Sequence, residues 1–434
     1  MTDSKFDTQV IIVGAGPVGL YAAYRLAQAG ISSIVFEQDD SLSQLPRAGI
    51  YYPPVQFAFV KDGLWDALIK GGAFRTTGLD MRNGPVGDGQ GGKKMGSLIA
   101  CYPKEENLDV YGLPTVSRAI SMLNLAQPKL ADVLLEMAVS TGKVDVRFNN
   151  ELVTIDDNGG ESEVVVVTVK DTVSRETRQF RSAFLIGSDG ARSKVRSQLN
   201  IPFQGHSWDE KVIATDVWLL NHDEMPITTT QILDPVHFAI ITPLMPPVPG
   251  KHTKWRVTFA SNPEEVATKG LDYHLQEEWI SKMYDRVLGG PRPIEYKIDR
   301  VSPYTMHQRL ASTLKRGRCL LAGDSAHVNT IIGGMGLSNC CLGAVALSDC
   351  LIMILNEGKP AEPMMKLYSD ERRQAFQFLI DPVTSWNKLR LQANEPDDWL
   401  FSCCQDVYSP SYSRFLDLLQ EYWPTKLRES AKDL

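Results

Sequence analysis

The sequence predicts an α/β protein in which a parallel-sheet domain is interrupted by a mostly antiparallel β-sheet domain and followed by a helical C-terminus. Three observations predict it. A β-branched strand near the N-terminus runs into a glycine-rich turn and a helical pattern; two apolar strands far downstream each end in a Gly-Asp or Asp-Gly pair; and between those two lies a proline-broken series of strands with no such motif.

The first element is Thr8-Gln9-Val10-Ile11-Ile12-Val13 followed by Gly14-Ala15-Gly16-Pro17-Val18-Gly19 and an apolar helical pattern from Leu20 to Ala29. Gly14 permits the tight turn, Gly16 lets backbone approach a pyrophosphate, and Gly19 lets the helix pack closely on the sheet. The phosphates would meet the positive end of the helix dipole and its unpaired N–H groups. The next strand, Ser33 to Phe36, ends in Glu37, which follows the last glycine by the spacing expected of a ribose-binding acid. An acid there disfavours a 2′-phosphate, so this Rossmann-like cradle should hold FAD or NAD rather than NADP. Gly87-Asp88-Gly89-Gln90-Gly91-Gly92 repeats the glycine spacing. It has no strand before it and Lys93-Lys94 after it, and reads as a flexible loop.

Further along, Glu163 to Lys170 and Arg178 to Ile186 read as a hairpin, whose second strand continues into Gly187-Ser188-Asp189-Gly190 and a basic helix start with Arg192, Lys194 and Arg196. Arg318 to Ala322 is another apolar strand, ending in Gly323-Asp324. Between Ile201 and Arg300 the pattern is strands, Val212 to Leu220, Val236 to Thr242 and Lys254 to Ala260, broken by Pro243, Pro246, Pro247 and Pro249. Gly333 to Gly336 open a helical run from Leu337 to Leu355. From about Glu371 the chain reads as helices that Asp381-Pro382 should break.

The 434 residues carry a net charge of −7, so no basic field favours nucleic acid or an anionic bilayer. The most apolar stretch, Cys341 to Leu355, contains Asp349 and reads as too short to span a membrane. The polar start, Met1 to Asp7, leads at once into the first strand and reads as no signal peptide. Seven cysteines without a C-x-x-C suggest reduced thiols and a cytoplasmic setting. Seven scattered histidines give no metal-ligand spacing. Nothing in the composition distinguishes a monomer from a homodimer.

The N-terminal cradle, D-G-x-x-S-x-V-R at Asp189 to Arg196, and G-D-x-A-H at Gly323 to His327 followed by Gly333-Gly334-Met335-Gly336 form a specific combination. Over roughly residues 8–375 the chain resembles the single-component FAD-dependent aromatic hydroxylases, the p-hydroxybenzoate hydroxylase-like flavoprotein monooxygenases. The resemblance implies a discontinuous FAD-binding domain (1–75, 111–200, 301–370), a substrate domain (76–110, 201–300) and a helical C-terminal segment (371–434). The C-terminal stretch is shorter than the additional domain of the phenol hydroxylase branch, which is expected to be missing. FAD would be held non-covalently. Besides Gly14, Gly16, Pro17, Gly19 and Glu37, the resemblance assigns it Arg47, Gln127, Asp189, Asp324, Gly334, Gly336 and Leu337. Asp324 would hydrogen-bond the ribityl chain. The amides opening the helix at Gly333 to Gly336 would face the flavin pyrimidine edge, where the reduced form is anionic. His327 would be structural.

This chain departs from the family at Ile331, where a proline is usual, at Ser338, where asparagine is usual, and at Gly343, where aspartate is usual. The implied reaction is hydroxylation of a phenolic or other electron-rich aromatic by NAD(P)H and O2 through a flavin C4a-hydroperoxide. An epoxidase or dearomatising monooxygenase stays open as an alternative, as does a reductase or non-catalytic FAD protein. A flavin halogenase is disfavoured, since no W-x-W occurs. NAD(P)H would dock transiently, its phosphates near Arg192, Lys194 and Arg196. Candidate chamber residues are Tyr51, Tyr52, Trp218, His237, Phe238 and Trp255, because aromatic rings line apolar pockets and offer a polar tip.

Overall fold

A computed structural model describes residues 6–45, 49–76, 78–102, 122–156, 162–392 and 425–434. The chain opens with β1 (Thr8–Val13), α1 (Pro17–Gln28) and β2 (Ser33–Phe36). There follow β3 (Ile50–Tyr51), α2 (Pro53–Lys61), α3 (Trp65–Lys70), β4 (Phe74–Thr76), β5 (Leu79–Arg82), β6 (Val86–Gly87), β7 (Lys93–Lys94) and β8 (Leu98–Tyr102). Next come β9 (Met122–Asn124), α4 (Gln127–Ser140), β10 (Val144–Arg147), β11 (Asn150–Asp156), β12 (Val165–Asp171), β13 (Thr177–Gly187) and α5 (Lys194–Gln198).

The first sheet runs β10-β2-β1-β13-β12-β11. Its β10, β2, β1 and β13 are mutually parallel, while β12 pairs antiparallel with β13 as the expected hairpin and β11 extends the sheet antiparallel to β12. Val10, Ile11, Ile12, Leu185 and Ile186 are fully buried, as strands covered on both faces must be.

The second half of the chain supplies β14 (Phe203–Leu220), β15 (Thr229–Ile232), β16 (Ala239–Pro243), β17 (His252–Ala260), α6 (Pro263–Lys269), α7 (Leu271–His274), α8 (Glu277–Val287) and β18 (Tyr296–Ala311). Strands β19 (Lys315–Arg316) and β20 (Cys319–Leu321) return to the first sheet, β20 pairing in parallel with β13. Then follow β21 (His327–Val328), α9 (Met335–Leu355), α10 (Ala361–Ala375), α11 (Asp381–Leu391) and α12 (Leu427–Ser430). The second sheet, β21-β18-β14-β17-β16-β15-β5-β8, is antiparallel except where β15 meets β5. Strand β18 runs through residues 300 and 301, so one continuous strand leads from the second sheet back toward the first.

Three features differ from the sequence expectation. Residues 263–287, read only as part of a strand region, form three helices. Asn262 caps α6 by accepting from the Glu264 amide at 2.9 Å, with Pro263 in the first turn. In α8, Trp279, Ile280, Met283, Tyr284 and Val287 make the buried face. Asp381-Pro382 does not break the C-terminal helix. A π turn, Phe376–Ile380, joins α10 to α11, and Pro382 falls at the start of α11, where its missing N–H costs little. The loop read as flexible is the ordered turn of the β6/β7 hairpin, with Asp88 accepting from the Gln90 and Gly92 amides at 2.7 and 2.9 Å.

Helix α9 is 21 residues long and apolar enough to cross a membrane by length and composition, so length alone does not exclude a span. Its most apolar window is 89% buried inside the protein, against α1, α2 and α10. It is a core helix.

Candidate active site

The three glycines of the first turn have different tasks. Gly14 has φ +103, and a Cβ there would lie 2.6 Å from the Ser188 carbonyl oxygen. A Cβ on Gly19 would lie 2.5 Å from Ser188 Oγ and collide with the Gly14 carbonyl. These two glycines bring α1, β1 and the turn after β13 together. Gly16 meets nothing within 4 Å, and that is the open cradle. Helix α1 has no side-chain N-cap and no acid in its first turn, leaving its leading N–H groups for an anion. Glu37 is fixed at the mouth of the turn, Oε2 accepting from the Ala15 amide at 2.8 Å and Oε1 from the Asp39 amide at 3.1 Å. These residues fit a dinucleotide. Gln127 is the first residue of α4, half-buried. Arg47 lies outside the described residues.

Asp189 organises its own turn. It accepts from Ser193 Oγ at 2.5 Å and from the Val195 amide at 3.1 Å. Arg196 is buried, donating to the Ser325 carbonyl at 3.0 Å and to Ala191 at 2.7 Å, with its guanidinium 3.8 Å from the centre of the Phe203 ring. It therefore ties the Asp-Gly turn to the Gly-Asp turn and is not a surface cation. Lys194 pairs with Glu151. Of the three basic residues expected to meet nicotinamide phosphates, Arg192 alone is exposed without an ion pair among the described residues.

Gly323 has φ +69, and a Cβ there would sit 3.1 Å from Val18, so the Gly-Asp turn packs on the start of α1. Asp324 follows in a short 3₁₀ turn, with Cys340 Sγ 3.9 Å from its Oδ1. Burial and this carboxylate push the Cys340 thiol well above its usual range. His327 is buried behind the turn, its ring 5.1 Å from that of Phe376, with Asn339 Nδ2 donating to Nε2 at 3.2 Å.

The glycine loop before α9 needs its glycines. Gly333 and Gly334 have φ +90 and +66, and a Cβ on Gly333 would lie 2.6 Å from Asn387 Nδ2. Gly334 caps α9 without a side-chain bond, so the amides at Met335, Gly336 and Leu337 point outward. Tyr52 braces this loop: its hydroxyl donates to the Gly333 carbonyl and its amide donates to Ser338 Oγ at 3.2 Å. Ser338 thus ties α9 to the chain after β3. Gly343 leaves open space where a longer side chain stands in the family. Ile331 and Ile332 pack onto one face of the second sheet together with Leu79, Met81, Phe238, Ile240, Tyr304 and Met306.

That face is the one turned to the glycine loop; the other is buried under α8. Trp255 belongs to the other, packed with Phe259 and Trp279 in one core and donating to Asn221 Oδ1 at 3.0 Å. It is core, not chamber lining. Tyr51 is likewise core of the first domain, its ring 6.0 Å from Phe59 and its hydroxyl pushed well above the usual range by burial. Trp218 is tied to Asp299 at 2.8 Å, and His237 faces the Ala260 carbonyl at 3.0 Å beside Trp279. Of the six aromatic candidates, Phe238 lines the loop-facing cluster and Tyr52 touches the loop.

The sequence reading missed the polar members of this face. Arg256 alternates with Trp255 and Val257 and so faces the loop side. There it pairs with Asp216 on the neighbouring strand at 2.8 and 3.2 Å, both residues buried. Thr229 and Gln231, beside Leu79 and Met81 in register, share that face. Strict alternation in β14 and β17 was the available signal.

A nucleotide cradle on a parallel sheet, met by a glycine-opened helix over an inserted antiparallel sheet, defines a flavin-type oxidoreductase fold. Residues 7–382 match the family described as an FAD binding domain, and the chain belongs to it. It is 30% identical to para-nitrophenol 4-monooxygenase of Pseudomonas sp. (strain WBC-3) over 398 residues, 90% of each chain. It is 29% identical over 411 residues to 6-hydroxy-3-succinoylpyridine 3-monooxygenase HspB of Pseudomonas putida (strain DSM 28022 / S16), covering 90% of this chain and 92% of that one. The crystal structure of p-nitrophenol 4-monooxygenase PnpA from Pseudomonas putida DLL-E4 superimposes with a TM-score of 0.76 at 27% identity, covering 98% and 97% of the two chains. The protein is an FAD-dependent aromatic monooxygenase.

Proposed function

We propose that the protein uses NAD(P)H and O2 to hydroxylate a phenolic or closely related electron-rich aromatic small molecule. One observation carries this reading: outward amides of the α9 glycine loop stand beside a predominantly apolar sheet face. Bound FAD, reduced by the nicotinamide, supplies O2 activation and transfer of one oxygen atom to the ring, the other leaving as water. The chain's residues do the rest. Asp324 orients the ribityl hydroxyls, the amides of Met335 to Leu337 hold negative charge at the flavin edge without reorganising, and Ile331 and Ile332 with the apolar sheet face exclude water. Two relatives support the substrate class, since nitrophenol and a hydroxypyridine are hydroxylated aromatic rings. The buried thiols of Cys319, Cys340, Cys341 and Cys350 fit a reducing, cytoplasmic setting.

The test is NAD(P)H oxidation and O2 uptake across a panel of phenols, with mass analysis of product. Expected are a yellow protein whose flavin is released by acid precipitation, uptake in step with nicotinamide oxidation, and a ring product one oxygen heavier. Nicotinamide oxidation that needs no O2 and leaves every phenol unchanged would mark a reductase instead; an epoxide or dearomatised product would redirect the reading to those reactions.

A further inference from the structure

Two polar side chains on the loop-facing side of the second sheet lack partners. Thr229 and Gln231 stand two apart on β15 and are each about 1% exposed. Thr229 Oγ1 and Gln231 Oε1 make no hydrogen bond among the described residues. Thr229 is in register with Leu79, and Gln231 with Met81 on one side and Ile240 on the other. Those three apolar side chains pack in the cluster that Ile331 and Ile332 join just ahead of the glycine loop. Buried polar atoms are almost always paired, so two orphans on one face point to a ligand that pairs them.

We propose that Thr229 and Gln231 recognise the un-ionised phenolic hydroxyl of the substrate, an inference that rests on the hydroxylase reading. A neutral hydroxyl suits the pair, because it donates to Gln231 Oε1 while accepting from the Thr229 O–H. A phenolate has no proton to give Gln231 Oε1. Cations on this face that would otherwise favour an anion are already engaged, Arg256 by Asp216, Lys254 by Asp299 and Arg300 by the Gln44 carbonyl. A site built to hydrogen-bond a hydroxyl discriminates strongly against the analogue that lacks it, since its own polar atoms are then left unpaired.

The experiment measures binding to the FAD holoenzyme, by the change in flavin absorbance, of 4-nitrophenol at a pH where it is neutral and of nitrobenzene, which lacks only the hydroxyl. Wild type is expected to prefer the phenol by about tenfold or more. Thr229→Val and Gln231→Leu, close in volume to the originals, should each remove most of that preference by weakening phenol binding alone, and Thr229→Ser should restore it. A preference that survives both substitutions, or an equal loss for both ligands, overturns the assignment while leaving the hydroxylase reading standing. If no phenol stimulates NAD(P)H oxidation by the wild-type holoenzyme, the hydroxylase reading falls and this inference with it.

Discussion

His327 and Asp324 are three residues apart, the first buried and the second half-buried. Loss of solvation and the nearby Arg372 push the His327 imidazole down to about 3, so it is neutral throughout the working range and unsuited to carry a proton for a substrate. Its ordinary value is 6.5. As pH falls below that, the unfolded chain takes a proton that the folded chain refuses, so folding stability drops by about 1.4 kcal/mol per pH unit from this residue alone. His327→Gln should flatten the acid limb by about that amount between pH 6.5 and 5, measured by urea unfolding with saturating FAD, and should bind FAD nearly as well as wild type. Asp324→Ala should weaken FAD by roughly ten- to a hundredfold, the worth of a hydrogen bond to an ionised group, read by titrating the apoprotein. The reverse order of the two variants would mean that the roles are exchanged. The motif led to the expectation of a structural His327, and its burial agrees with that expectation. The burial of Arg196 was not, because a basic triplet in a turn reads as solvated charge until the Ser325 carbonyl and the Phe203 ring are placed against it.

Among the elements, the βαβ opening was legible almost to the residue, because each glycine in it answers a steric demand that few other residues meet. The helices over residues 263–287 were passed over, although Asn262-Pro263 and the spacing of Ile280, Met283, Tyr284 and Val287 carried the helical signal. Proline punctuation nearby had suggested strands and loops throughout. The long reach of β18 was hidden for another reason: it crosses from one sheet's neighbourhood to the other's, and no local pattern reports that. The glycines of the opening turn separate packing from binding in a way that can be measured. Gly19→Ala would drive its methyl into the Gly14 carbonyl and Ser188 Oγ, so the apoprotein itself should lose stability, by about 1–3 kcal/mol for such overpacking, with lower FAD occupancy following. Gly16 has φ −71 and open space beyond it, so Gly16→Ala should leave the apoprotein's melting temperature close to wild type while weakening FAD. Equal melting losses in the two apoproteins would show that the cradle is not where the open space lies.

At the scale of the whole molecule, buried charge ties helices from distant parts of the chain together beside the first sheet. Arg25 on α1 pairs with Asp62 after α2 and, at 3.0 Å, with Asp349 on α9, and Asp349 also meets Arg428 of α12 at 3.2 Å. Among the described residues one strand-preceded glycine cradle is present; under the proposed function FAD takes it, and NAD(P)H would have to dock on the surface. Its phosphates then depend on exposed cations. Arg192 is the one of the three basic residues in the Asp-Gly turn still free to serve, Lys194 being paired with Glu151 and Arg196 buried. The Michaelis constant for NAD(P)H should therefore rise with ionic strength, because exposed ion pairs are screened over about 10 Å at 0.1 M salt. Arg192→Ala should raise it a few-fold at low salt and hardly at all at high salt, an exposed pair being worth about 0.2–1 kcal/mol. Arg196→Ala should instead lower stability. A hydroxylase that reduces its flavin only with substrate in place avoids idle NAD(P)H consumption, so anaerobic stopped-flow traces are expected to show rapid flavin reduction only when the aromatic compound is bound. Tight, salt-insensitive NAD(P)H binding with reduction that ignores the substrate would require a second, dedicated nucleotide site, and would place it outside the surface that Arg192 marks.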